Sequence, residues 1–148
     1  MIQIPTILSQ KEFEGQVLPN IDEYEDTFFI SILQPDEKEP LREDSENYKT
    51  FWIYDIPESI GSYKAFNYED AQKMYKYIMS NYGKKLVVHC AIGVSRSPAV
   101  AEFYFEMQGG AYKQLIEKYP NILPNLTPIL LYLRMAEKEK GEDIQIKF

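Results

Sequence analysis

The stretch of sequence that decides the fold is Leu86-Val87-Val88-His89-Cys90-Ala91-Ile92-Gly93-Val94-Ser95-Arg96-Ser97-Pro98. Its first three residues form a short apolar run that is typical of a central strand buried on both faces. Pro98 suits the first turn of a helix, because its missing N–H would have no partner there. The stretch therefore predicts a strand, a tight loop and a helix, which together are a unit of α/β folds.

The loop within this stretch has the features of an anion-binding site. Backbone N–H groups in a tight loop that opens a helix converge on one point, where the helix N-terminus adds partial positive charge. Gly93 permits a close approach that a Cβ would obstruct, and Arg96 carries a planar fork that can hold two oxygens of a phosphate. This positive field favours the thiolate form of Cys90. A thiolate that faces a bound phosphate is a nucleophile directed at phosphorus.

The amino-acid composition excludes several kinds of site and partner. The 148 residues include one cysteine, Cys90, and one histidine, His89. An intramolecular disulfide and a zinc site of several Cys and His ligands are therefore excluded. The net charge of −7 at pH 7 weighs against general nucleic-acid binding, and it means that an anionic substrate needs a local site.

Length and hydropathy predict one domain, residues 1–148. No apolar run reaches the length of a transmembrane helix, and the first residues lack the pattern of a signal peptide. We therefore expect a cytoplasmic protein that does not bind a membrane.

The remaining elements follow from periodicity and capping signals. Residues 28–33 and 51–54 are predicted strands, and residues 2–8 are predicted to be a strand or an extended segment. Residues 34–50, the most polar stretch, are predicted to be a surface loop or a marginal helix. Ser9 and Glu12 form the pattern of a capping box, and Asn67 caps the clearest helix. The apolar face predicted for that helix consists of Ala71, Met74, Tyr75, Ile78, Met79 and Tyr82.

Three more helices are predicted at residues 95–107, 111–119 and 129–140, and the alternating tail 144–148 is predicted to be an edge strand. The expected fold class is therefore α/β, with a short, mainly parallel central sheet flanked by helices.

The loop segment resembles the signature of the protein tyrosine phosphatase superfamily, His-Cys-X5-Arg-Ser/Thr, which stands here as His89-Cys90-X5-Arg96-Ser97. The short chain and the form Gly-Val-Ser-Arg-Ser-Pro-Ala resemble the dual-specificity branch. The resemblance implies a phosphatase fold whose active site is a strand, a phosphate loop and a helix. It also implies hydrolysis of phosphotyrosine, phosphoserine or phosphothreonine through a phosphocysteine intermediate, without a metal or another cofactor.

The same resemblance assigns roles to the loop residues. Cys90 is the expected nucleophile, and Ser97 is expected to hydrogen-bond its sulfur and help it leave in the second step. His89 is expected to hold the loop through hydrogen bonds. The phosphoryl oxygens are expected to bind Arg96 and the backbone amides of Ala91, Ile92, Gly93, Val94, Ser95 and Arg96.

The resemblance also implies an aspartate that acts as general acid, on a separate loop roughly 30 to 40 residues before the cysteine. Asp55 stands at that distance, at the end of a predicted strand, and Glu58 is the nearby rival. Members of the dual-specificity branch often carry an asparagine after a proline that steadies the active-site loops. Pro124-Asn125 fits that description, and Asn125 fits equally well as a residue that leads into the next helix.

Other functions share parts of this pattern. A pseudophosphatase that serves as an interaction module binds phosphorylated partners in the same pocket, and an RNA 5′-triphosphatase-like enzyme shares the motif. A rhodanese-type enzyme would leave Ser97 and Asp55 without a purpose, and a cysteine protease lacks a second histidine. The expected partner is a phosphoprotein or phosphopeptide. The oligomeric state stays open.

Overall fold

The computed structural model describes residues 2–37 and 39–146, with side chains as far as residue 140. Its centre is a single sheet of four parallel strands in the order β1-β4-β2-β3. The strands are β1 (Thr6–Ser9), β2 (Thr27–Leu33), β3 (Tyr48–Trp52) and β4 (Lys85–Cys90). The predicted fold class, a short parallel sheet flanked by helices, is confirmed.

The carboxyl ends of the strands meet at one edge of the sheet, because all four strands run in the same direction. Ser9 lies opposite Cys90 across β1 and β4, and Ser31 lies opposite His89 across β2 and β4. Loops that follow parallel strands gather at this edge, which is where open α/β sheets bind their ligands.

Each face of the sheet is covered by a different part of the chain. On one face, Phe28, Ile30 and Val88 pack in the main core with the long helices. On the other face, Phe29 and Val87 pack beneath residues 10–23. The helices are α1 (Gln10–Glu12), α2 (Tyr68–Ser80), α3 (Arg96–Met107), α4 (Tyr112–Lys118) and α5 (Ile129–Ile146), with a π-helical turn at Phe13–Val17 and a 3₁₀ segment at Leu18–Glu23 between α1 and β2.

Both predicted N-caps are present. The Ser9 hydroxyl accepts a hydrogen bond from the Glu12 N–H at 3.1 Å, and the Glu12 carboxylate accepts one from the Ser9 N–H at 2.9 Å. Asn67 and Asp70 form the same reciprocal pair at the start of α2. Each box satisfies two N–H groups that the first turn of a helix leaves unpaired.

The apolar face of α2 is only partly as predicted. Ala71, Met74 and Ile78 are buried, but Met79 and Tyr82 are exposed. Tyr77 is buried instead, because its hydroxyl donates a hydrogen bond to the Phe29 carbonyl at 2.8 Å. A tyrosine that satisfies its hydroxyl in this way can enter a core.

The predicted strand in the tail is wrong. Helix α5 continues through Ile146, beyond the predicted end at Lys140, and residues 147–148 lie outside the described part of the chain.

Strand β3 forms one edge of the sheet, and a side chain covers part of it. The Thr50 N–H donates a hydrogen bond to the Asp44 carboxylate at 3.0 Å. Within the described residues, no helix is long and apolar enough to cross a membrane.

Candidate active site

Cys90 is the last residue of β4, and its side chain is buried. Its Sγ lies 3.2 Å from the hydroxyl oxygen of Ser97, in the first turn of α3. When the sulfur is ionised, the hydroxyl is the partner that can donate, and this hydrogen bond stabilises negative charge on the sulfur. The predicted pairing of these two residues is therefore present in the structure.

The loop between Cys90 and Arg96 is held from two sides. On one side the Gln10 N–H donates to the Ala91 carbonyl at 3.1 Å, and on the other the Leu123 N–H donates to the Val94 carbonyl at 2.6 Å. Gly93 has a φ of 74°, and a Cβ there would lie 3.2 Å from the backbone of Leu8. The glycine is required both for its positive φ and for this close approach.

Arg96 is buried beneath the loop. Its Nη1 donates a hydrogen bond to the carbonyl of Ile53 at 2.8 Å. Its Nε is also buried and has no hydrogen-bond partner among the described residues. A buried cationic donor without a partner is costly, so this arrangement is suited to receive an anion.

His89 lies on the opposite face of β4 from Cys90. Its Nε2 is 2.6 Å from the Ser31 hydroxyl and its Nδ1 is 3.5 Å from the Cys90 carbonyl. Because a carbonyl only accepts, Nδ1 carries the proton and Nε2 accepts from Ser31. The ring stacks on Phe13 with 4.3 Å between centroids.

The charge state of His89 follows from this environment. Burial above all lowers the pKa of His89, the hydrogen bond to the Cys90 carbonyl raises it, and the Arg96 charge lowers it; the net pKa is about 4. The ring is therefore neutral at physiological pH. A neutral ring fits the expected structural role and cannot act as a cationic partner of the thiolate.

Asp55 is brought to the loop by the segment that follows β3. Its exposed carboxylate accepts a hydrogen bond from the buried hydroxyl of Ser95 at 2.6 Å. The rival residue, Glu58, is exposed and makes no hydrogen bond to the loop within the described residues. The geometry therefore supports Asp55 over Glu58 as the group nearest the loop.

Asn125 is exposed, and its side chain makes no hydrogen bond to the phosphate loop in the described part of the chain. The contact between this part of the chain and the loop is instead the hydrogen bond that the Leu123 N–H donates to the Val94 carbonyl. The role suggested for Asn125 stays a prediction.

Three contacts of the site were not predicted from the sequence: those of Ser31, Phe13 and the Ile53 carbonyl. The contact of Ser31 could have been predicted from the sequence, because Ser31 is the one polar residue in the apolar run 28–33. A buried hydroxyl needs a partner, and a histidine on the neighbouring strand supplies one. No comparable signal marked Phe13 or the Ile53 carbonyl.

The described residues contain no group of three His, Cys, Asp or Glu side chains that could hold a metal ion. The site consists of a buried thiol with a hydroxyl partner, a loop of backbone amides and a buried arginine. This arrangement can bind a tetrahedral oxyanion and present a sulfur nucleophile to it.

The sheet and its flanking helices match a phosphatase-like α/β fold. The similarity is to the crystal structure of human tyrosine phosphatase-like serine/threonine/tyrosine-interacting protein, with a TM-score of 0.61 and 22% sequence identity. The match covers 90% of this chain and 91% of the human chain. No protein-family model and no curated protein sequence matches the chain.

Proposed function

We propose that this chain is a cysteine-dependent phosphomonoesterase of the dual-specificity type, acting on phosphotyrosine, phosphoserine or phosphothreonine. The observation that carries the proposal is the pairing of a buried thiol with the Ser97 hydroxyl, in a loop whose buried Arg96 retains an unpartnered Nε. A phosphoryl group would supply that missing partner. The proposed substrate is a phosphoprotein or phosphopeptide, and the proposed location is the cytoplasm.

The first step transfers the phosphoryl group to the protein. The phosphate oxygens bind the loop amides and Arg96, and the thiolate of Cys90 attacks phosphorus. As the S–P bond forms, the ester O–P bond breaks, and Asp55 donates its proton to the leaving oxygen. The products of this step are the dephosphorylated residue and a phosphocysteine.

The second step regenerates the thiolate. Asp55, now ionised, accepts a proton from a water molecule, whose oxygen attacks phosphorus. The S–P bond breaks, and its electron pair returns to the sulfur. The Ser97 hydroxyl, 3.2 Å away, stabilises that charge by donating a hydrogen bond. Inorganic phosphate leaves.

The test is hydrolysis of para-nitrophenyl phosphate between pH 5 and 7 in the presence of EDTA, with Cys90→Ser as the matched variant. The proposal expects turnover by the wild type that is insensitive to EDTA and absent in the variant. If a folded wild type shows no turnover, or if the variant retains it, the proposal is wrong.

A second candidate is a phosphate-binding interaction module. It is favoured by the name of the human structure, which describes a phosphatase-like interacting protein, and by the engagement of the Asp55 carboxylate with Ser95. This candidate predicts that the wild-type chain binds a phosphopeptide in a pull-down and releases no inorganic phosphate from it. Release of phosphate at many equivalents per protein chain would rule it out.

A further inference from the structure

A groove passes Trp52, the only tryptophan of the chain. Two adjoining cavities of about 240 and 360 Å³ share Trp52, Ile53, Phe66 and Asp70 as walls. We call the pair the Trp52 groove. Trp52 is 41% exposed. The catalytic mechanism proposed above assigns no role to Trp52.

The chain segment that lines the Trp52 groove also contacts the proposed active site. Ile53 lines the groove, and its carbonyl accepts the hydrogen bond from Arg96. Tyr54 lines it too, directly before Asp55 in the chain, and meets Tyr63 edge to face at 5.1 Å between centroids. Residues 53–55 therefore connect the groove to the loop, through the Ile53 carbonyl and the Asp55 carboxylate.

The chemistry of the Trp52 groove is both aromatic and basic. Lys64 lines the larger cavity, and Lys49 and Lys73 line the smaller one. None of the three lysines forms an ion pair within the described residues. The Asp70 carboxylate is already engaged, because it accepts the capping hydrogen bond from the Asn67 N–H. The lining holds three lysines against one carboxylate, in a chain whose net charge is −7.

We infer that the Trp52 groove binds the polypeptide that carries the phosphate. A large apolar side chain near the phosphorylated residue contacts Trp52, and neighbouring acidic residues pair with the lysines. The inference rests on the proposed phosphatase function and specifies its substrate class: acidic phosphopeptides with a large apolar residue near the phosphate. A small aryl phosphate reaches the loop without filling the groove. Comparing its turnover with that of a peptide therefore distinguishes an effect on the groove from an effect on the loop.

The first experiment uses the fluorescence of Trp52, since no other tryptophan contributes. The Cys90→Ser protein is titrated with three matched phosphotyrosine peptides: one with leucine and glutamate flanks, one with leucine replaced by alanine, and one with glutamate replaced by lysine. We expect the first to shift the emission and to bind at least about tenfold more tightly than the other two. Inorganic phosphate alone should leave the emission unchanged.

Two outcomes of this titration overturn the inference. Equal affinities for the three peptides would mean that the groove does not bind the side chains that flank the phosphotyrosine. A larger emission shift with vesicles of phosphatidylcholine and phosphatidylserine than with any peptide would assign the tryptophan and lysines to a lipid surface instead.

The second experiment changes the protein. Lys73→Glu should weaken binding of the glutamate peptide and strengthen binding of the lysine peptide, a reversal that damage to folding cannot produce. Lys113→Glu, on α4 and away from the groove, is the matched control and should change neither affinity. If Lys73→Glu and Lys113→Glu behave alike, the inference is wrong.

The third measurement compares substrates. Trp52→Ala should lower kcat/KM for the first peptide, relative to para-nitrophenyl phosphate, at least about tenfold, and the exposed Met79→Ala should leave that ratio unchanged. Failure of the two proposals is distinguishable. Selective peptide binding without turnover contradicts the phosphatase function alone, and turnover without selectivity between peptides contradicts the groove alone.

Discussion

The hydrogen bond from Ser95 holds the Asp55 carboxylate at the loop. The proposed role of Asp55 as general acid predicts how its replacement changes turnover. Asp55→Asn cannot protonate a leaving oxygen, so turnover of a phosphoserine peptide should fall about 100-fold or more. Turnover of para-nitrophenyl phosphate should fall much less, because its leaving group needs little protonation. Steady-state kinetics on both substrates checks this. Glu58→Gln is the matched control, and a larger loss in that variant would transfer the role to Glu58.

The Ser97 hydroxyl is expected to act mainly in the second step, when the sulfur regains its charge. Ser97→Ala should slow hydrolysis of the phosphocysteine about tenfold or more, because hydrogen bonds to charged groups carry about 1.5–3 kcal/mol. Stopped-flow measurement should then show a burst of para-nitrophenol close to one equivalent. Ser80→Ala, on α2, serves as the control. A slowed step without a burst would place the effect in the first step.

Burial of His89 predicts a loss of stability in acid. The pKa is lowered to about 4 from 6.5, so the folded state favours the neutral ring. This contribution is fully present above pH 6.5 and is lost as the pH falls through 4, a loss of about 3 kcal/mol in the free energy of unfolding. Urea unfolding at pH 7 and at pH 4 measures it.

The matched variant for this prediction is His89→Gln, which has no titrating ring. Its stability should depend less on pH in this window than that of the wild type. Burial raises the pKa of Glu102 and of Glu137, which acts in the opposite direction in both proteins and so cancels in the comparison. Identical pH slopes for the two proteins would contradict the prediction.

At the scale of elements, the phosphate loop depends on one glycine. Gly93→Ala must adopt a φ of 74° and place its Cβ 3.2 Å from the Leu8 backbone, which cannot retreat without moving β1. We expect a loss of about 1–3 kcal/mol in the free energy of unfolding and a lower kcat/KM. Chemical denaturation and kinetics measure both. Gly15→Ala, where a Cβ meets nothing within 4 Å, is the control and should be nearly neutral.

The sequence predicted those elements whose signals are local. The capping boxes at Ser9 and Asn67 marked helix starts correctly, because reciprocal hydrogen bonds three residues apart need no tertiary context. The face of α2 was partly wrong because the choice between Tyr77 and Met79 depends on a carbonyl of β2 that lies 48 residues away. The helical turns at residues 13–23 gave no clear period and were not predicted.

The same distinction separates the parts of the candidate site. Cys90, Arg96 and Ser97 lie within eight residues of one another, so their grouping could be predicted from spacing alone. The approach of Asp55 to Ser95 crosses 40 residues, and that of Ser31 to His89 crosses 58. Such contacts depend on the strand order β1-β4-β2-β3, which places β2 and β4 side by side although β3 separates them in the chain.

At the scale of the whole molecule, the phosphate loop is tied to distant parts of the chain. It joins β4 to α3, and it hydrogen-bonds to Gln10, the first residue of α1, and to Leu123, which precedes α5. Unfolding any of these segments would remove the proposed anion site. A ligand of the loop therefore binds the native state alone and stabilises the entire domain.

This linkage gives a prediction that needs no turnover. Tungstate, a tetrahedral oxyanion, at 100 times its dissociation constant should add about 2.7 kcal/mol to the free energy of unfolding and raise the Tm by about 5–10 °C. Arg96→Met should abolish the shift, since it removes the buried donor that lacks a partner. Arg42→Met, which breaks only a surface ion pair with Asp22, should keep it. Differential scanning calorimetry decides between the variants: a shift retained in Arg96→Met would mean that the anion binds outside the phosphate loop.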